Sequence, residues 1–143
     1  MRGAEAETKS HGEFLAGAVG EIAGVSGTTI GQWARWGYIR ASRSDGIPHV
    51  YAFEDVLEAL MVKALLDRGV SRMMIRRAVA QLQEYGDWPL TEAQLATTTA
   101  NGRRPRIILR EDDGAYALSP RGWQRMVAPP PYEDVRLRVK RPR

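Results

Sequence analysis

The sequence predicts a mainly α protein, a winged helix-turn-helix with a small C-terminal α+β element. Three observations carry the prediction. Residues 14–36 hold two short helical patterns separated by a glycine break, and a turn-rich stretch rich in Gly, Pro and Ser follows them. Two helices with apolar stripes come next, and near residue 87 the text changes to short extended runs. With 143 residues, 43% of them hydrophobic, the chain can bury one core of ordinary size plus an appendage. The expected organisation is a disordered tail over 1–12, a helix-turn-helix domain over 13–86, and an α+β dimerisation or partner-binding element over 87–143.

Met1 to Gly12 has no periodicity and reads as a mobile tail. In FLAGAVGEIAGVSGTTIGQWARW, a short helix around Val19–Ala23 breaks near Gly24, and Ser26, a good N-cap, opens a second. That is a helix-turn-helix spacing. Within the second helix Ile30, Trp33, Ala34 and Gly37 recur at helical intervals and define a buried face, and Gly37 also suits the C-terminal cap. Thr28, Gly31, Gln32 and Arg35 then occupy the opposite face. Tyr38–Tyr51 places Ser44, Asp45, Gly46 and Pro48 between two segments able to extend, which suits a two-stranded wing. Phe53–Arg68 reads as a helix striped by Val56, Leu57, Leu60, Met61, Ala64 and Leu65, ended by Gly69. Ser71 caps a further helix with the stripe Ile75, Ala78, Val79, Leu82, which stops at Gly86 with Pro89 beyond.

In the C-terminal part Thr91 and Gln94 have the form of a capping box over one or two helical turns. RIILREDDGAYAL reads as a hairpin with Asp113 and Gly114 at the turn. Ser119 and Pro120 fit the N-cap and first position of a short helix through Val127. VRLRVK alternates Val135, Leu137 and Val139 with Arg136, Arg138 and Lys140, a strand with one face to bury.

Net charge is +4, and its distribution matters. Residues 1–86 carry ten Lys or Arg against ten Asp or Glu, whereas residues 87–143 carry eleven against seven, so the whole excess is C-terminal. It favours an anionic partner only modestly. The absence of cysteine excludes disulfides, thiolate metal sites and cysteine nucleophiles. Glu21 interrupts the first apolar stretch well before it could span a bilayer, so neither export nor membrane attachment is expected and the cytoplasm is the default. The chain has no Walker-type loop, nucleophile elbow or His-Glu metalloprotease pattern, and Asp112 and Asp113 lie in a turn where carboxylates are simply solvated. Neither catalysis nor a cofactor is expected.

The run GEIAGVSGTTIGQWARWGYI, the turn-rich stretch ending at Tyr51, and YAFEDVLEALMVKALLDRGVSRMMIRRAV together resemble the DNA-binding domain of the MerR family of bacterial transcription regulators. The resemblance covers about residues 16–85. It implies a recognition helix at Ser26–Trp36 in the major groove of double-stranded DNA, with a wing against the adjacent backbone. On that reading Thr28 and Gln32 reach base edges, while Ser26, Thr29, Arg35, Arg43, His49 and Tyr51 hold phosphates and set register. The sequence departs from the family at several points. Gly31 stands where an arginine is usual, His49 where a wing arginine is usual, and Ala52 where a hydroxyl cap is usual. No heptad run follows Leu82, so the long dimer-forming coiled coil is missing.

Several of these residues also suit plain structural roles. Trp33 and Trp36 at helical spacing suit packing better than base stacking. Met73 and Met74 suit gap filling, and His49 has no companions for a metal site. A helix-turn-helix used only for protein contact is the bland account. The reading adopted is a sequence-specific DNA-binding repressor acting as a homodimer. A looser similarity of the C-terminal segment to small MerR-related antitoxins implies the alternative, an autoregulating antitoxin with a protein toxin as partner.

Overall fold

The computed structural model describes residues 12–99 and 103–137. The chain divides into two compact units, Met1–Lys63 and Ala64–Arg143.

In the first unit, helix α1 spans Ala16–Ala23 and helix α2 spans Gly27–Arg35. α1 starts a turn earlier than the sequence suggests, since Leu15 is an extended N-cap whose side chain makes no capping bond. At its other end the N–H groups of Gly24 and Val25 both donate to Gly20 O, at 2.8 and 2.9 Å. The turn is tight. A Cβ on Gly20 would lie 2.5 Å from Val25 O, and one on Gly27 would lie 3.1 Å from Gly17 Cα. Ser26 Oγ accepts from Thr29 N at 3.0 Å, as an N-cap should. α2 closes with Tyr38 N–H on Trp33 O at 2.9 Å and Gly37 N–H on Ala34 O at 3.2 Å, a Schellman motif that needs the left-handed φ of +83° found at Gly37. Gly37 is exposed, so its role is this cap and not the buried face. Ile30 and Trp33 supply that face, with Trp33 only 3% exposed, beside Val19 and Ala23 of α1 in the core.

The segment after α2 contains isolated bridges. Phe14 and Tyr51 exchange both backbone hydrogen bonds, at 2.8 and 2.7 Å, and Ser44 pairs with Val50 around an exposed loop. Helix α3 spans Phe53–Asp67. Its N-terminus solves the absence of a hydroxyl at Ala52 in another way. Asp55, three residues on, accepts from Ala52 N at 2.8 Å, the returning half of a capping box.

In the second unit, α4 spans Arg72–Gln81 with Ser71 Oγ accepting from Met74 N at 3.2 Å. Ile75, Ala78 and Leu82 are fully buried. A 3-10 turn, Gln83–Tyr85, and the short helix α5, Pro89–Glu92, lead to a five-stranded antiparallel sheet. Its strands are β1 Gln94–Thr98, β2 Ile107–Glu111, β3 Gly114–Ser119, β4 Gly122–Arg125 and β5 Tyr132–Asp134, in the order β4-β3-β2-β1-β5. Pairing of Leu109 with Tyr116 and of Leu118 with Trp123 puts these side chains on one face. Ala96, Ile108, Ala115 and Ala117 form a small core on the other, with Met126 and Tyr132 packed against it. Arg68 fastens edge strand β5, donating to Thr97 Oγ1 and Glu133 O at 2.9 Å each and to Asp134 O at 2.8 Å.

Five expectations for this part are corrected. Thr91 lies inside α5 and donates to Trp88 O at 3.1 Å, while Gln94 starts β1, so no capping box forms. The β2–β3 turn is Asp112–Asp113, one residue earlier than expected, because Gly114 pairs with Glu111 as the first residue of β3. Ser119–Val127 is not a helix. Ser119, Pro120, Arg121 and Gly122 make a turn with Pro second and Gly fourth, and Gly122 has φ of +118°, so the chain reverses into β4. Among the described residues the last strand is Tyr132–Asp134, and 135–137 follow it outside the strand, although Val135 N–H still donates to Leu95 O at 2.9 Å; the rest of the expected strand, in 138–143, lies outside the described part. Met73, expected to fill a gap, is 69% exposed.

Candidate nucleic-acid interface

Burying Ile30 and Trp33 fixes the rotation of α2, and the residues between them must face outward. Thr28 and Arg35 are exposed and Gln32 is half-buried. Ser26 and Thr29 hydroxyls lie 2.9 Å apart and are joined by the cap, which leaves an N-terminal turn with exposed hydroxyls and no acidic side chain. The positive end of the helix dipole and the cation at Arg35 both favour an anion along this face.

Gly31 has a visible consequence. A methyl at that position would stand 3.5 Å from Arg35 Nη1, so the guanidinium of Arg35 lies back over the surface the glycine leaves open.

The loop residues divide. Arg43 is exposed, and its Nε donates to Gly12 O at 2.8 Å, which anchors the stem of the side chain. His49 is half-buried and meets Tyr51 edge to face, with ring centroids 6.2 Å apart. Tyr51 is fully buried, and neither its hydroxyl nor His49 Nδ1 has a hydrogen-bond partner among the described residues. This corrects the expectation for Tyr51, since a ring sealed in the core cannot hold a phosphate. Burial, and then the charge of Asp55, push its hydroxyl pKa up against the opposing pull of Arg35. Trp36, 37% exposed, sits edge-on to Tyr38 at 5.7 Å.

Asp55 is the positioning residue that sequence reasoning missed. Fully buried, its Oδ2 accepts from Ser42 N at 2.8 Å, Ser42 Oγ at 2.7 Å and Ala52 N at 2.8 Å. One carboxylate therefore ties both ends of the 42–52 loop to the start of α3. An acid three residues after an uncapped Ala52 was the available signal.

A short helix, a glycine turn and a second helix with its polar face outward make the first unit a helix-turn-helix. Residues 15–82 match the family described as MerR HTH family regulatory protein. Similar proteins include an uncharacterized HTH-type transcriptional regulator of Mycobacterium bovis and two of Mycobacterium tuberculosis, each 37% identical over 70 residues. The matched segment covers 46% of this chain and 31% of each relative, so the chain spans about a third of the length of the curated relatives it matches. No solved structure matches the chain. Among the described residues, no helix is long and apolar enough to cross a membrane.

Proposed function

We infer that this protein binds double-stranded DNA sequence-specifically and regulates transcription as a repressor. The single observation that supports the reading most is the outward face of α2, where Thr28, Gln32 and Arg35 stand opposite buried Ile30 and Trp33. In this proposal α2 enters the major groove, and Thr28 and Gln32 reach base edges, a Gln amide being able to pair bidentately with adenine. Ser26, Thr29, Arg35 and Arg43 hold phosphates, and the 40–51 loop with His49 acts as the wing.

Repression is preferred because activation that twists a promoter needs a rigid dimer, and α4 ends at Gln81 without lengthening into a coiled coil. A homodimer assembled in the cytoplasm through the C-terminal element is proposed in its place, since one module covers about one half-site. The test is selection of binding sites from a random duplex pool, followed by footprinting of the full chain. Enrichment of an inverted repeat with major-groove protection in each half supports the proposal; recovery of the pool unenriched refutes sequence-specific binding.

A further inference from the structure

The second unit has a cleft of about 180 Å³ lined by Gln81, Glu84, Tyr85, Leu109, Glu111, Tyr116 and Trp123. The sheet register builds its floor. Leu109 pairs with Tyr116, Glu111 follows on the same face of β2, and Trp123 pairs with Leu118, two residues along β3 from Tyr116. The end of α4 and the 3-10 turn form the rim. Tyr85 OH donates to Glu111 Oε1, and Trp123 Nε1–H donates to Gln81 O at 3.3 Å, so both rings are held in place from the opposite wall. Leu109 is buried at the base, whereas Tyr85, Tyr116 and Trp123 are each half-buried, which leaves part of each ring reachable.

Among the described residues that line the cleft, the charged ones, Glu84 and Glu111, are both acidic, and Arg125 stands beside it as the cross-strand partner of Tyr116. The negative field is felt by the rings: after desolvation, Glu111, Glu84 and Asp113 all push the Tyr85 hydroxyl pKa up. At Tyr116 the hydrogen bond to Asp113 and desolvation do the same, against a smaller opposing effect of Arg125, whose guanidinium is engaged with Asp113 O.

We propose that this cleft binds a small organic cation, a methylated ammonium head group held among Tyr85, Tyr116 and Trp123 with Glu84 and Glu111 supplying the countercharge. Three aromatic residues and two carboxylates around an apolar floor match what such a cation needs. Its charge spreads over weakly hydrated methyl groups, which gain from π faces and from Leu109 together. A hydrated metal ion would gain little from indole and phenol rings, and a neutral apolar ligand would leave both carboxylates to be desolvated without compensation.

The decisive comparison is choline against its neutral carbon isostere, 3,3-dimethylbutan-1-ol, titrated into the full chain while the Trp123 indole N–H resonance is followed. The sequence holds four tryptophans, so the resonance is assigned with Trp123→Phe. Choline should move it saturably in the millimolar range at constant ionic strength, with the isostere weaker by roughly five- to thirty-fold. Glu84→Gln, at an exposed position, should weaken choline and leave the isostere unchanged. Equal binding of the two ligands, or no saturable shift with choline, overturns the proposal. Because the wild-type chain carries the main comparison, a variant that fails to fold leaves it intact.

Discussion

Removing the buried Asp55 carboxylate should destabilise the first unit strongly. In Asp55→Ala, the N–H groups of Ser42 and Ala52 lose the acceptor that stands 2.8 Å from each, in a place where the carboxylate itself is fully buried. A buried donor left without a partner costs about 1 to 3 kcal/mol, which applies in full to the Ala52 N–H. Ser42 is exposed, so its N–H and Oγ can turn toward solvent and contribute less, and the total should be about 2 to 4 kcal/mol, a sizeable part of a typical domain's roughly 5 to 15. Urea unfolding followed by circular dichroism measures it, with the unfolding slope as a check that both states are unchanged in kind. Ser42→Ala removes only the 2.7 Å hydroxyl bond and should cost about 1 kcal/mol. A loss below about 1 kcal/mol for Asp55→Ala would show that water or a shifted loop replaces the carboxylate, and the fastening role would fall.

Gly20→Ala forces a methyl to within 2.5 Å of Val25 O and should destabilise by about 1 to 3 kcal/mol, whereas Gly17→Ala meets nothing within 4 Å and should be neutral or slightly stabilising; equal thermal shifts would contradict the tight-turn argument. Trp33→Ala empties a core site and should cost roughly 3 to 5 kcal/mol, and a variant that melts like wild type yet loses DNA would move Trp33 to the interface. Tyr51→Phe deletes a buried hydroxyl that has no hydrogen-bond partner among the described residues and should be neutral or stabilising at neutral pH. Since the folded pKa of Tyr51 lies above the 10.0 of a free tyrosine, its contribution is present below that pH and lost as pH rises through the folded value; the variant should therefore decline less steeply in alkali, and parallel curves would refute this.

The helices were legible because each carries its own punctuation. Ser26 and Ser71 cap α2 and α4 through bonds to Thr29 and Met74, and Gly24, Gly37 and Gly69 take the positive φ that ends helices. The sheet was less legible, because its strands are short and their order depends on distant pairing. In SPRGW, Ser-Pro serves equally as a helix start and as the first half of a turn, and only Gly122 two residues later decides for the turn. Similarly VRLRVK alternates more cleanly than Tyr132–Asp134, yet the latter is the segment that pairs with β1, held by Arg68 from the end of α3. At the candidate interface, helical spacing alone placed Thr28, Gln32 and Arg35 outward. It could not place Tyr51, whose burial follows from the two bonds between Phe14 and Tyr51, residues far apart in the chain.

The central claim, that the outer face of α2 reads bases, is tested most directly by comparing Gln32→Ala with wild type on a selected site and on random duplex at one fixed salt concentration. Loss of a base contact should weaken the selected site by about 1 to 3 kcal/mol and leave random binding nearly unchanged, because phosphate contacts survive. Equal weakening on both duplexes, or none on either, would contradict the account.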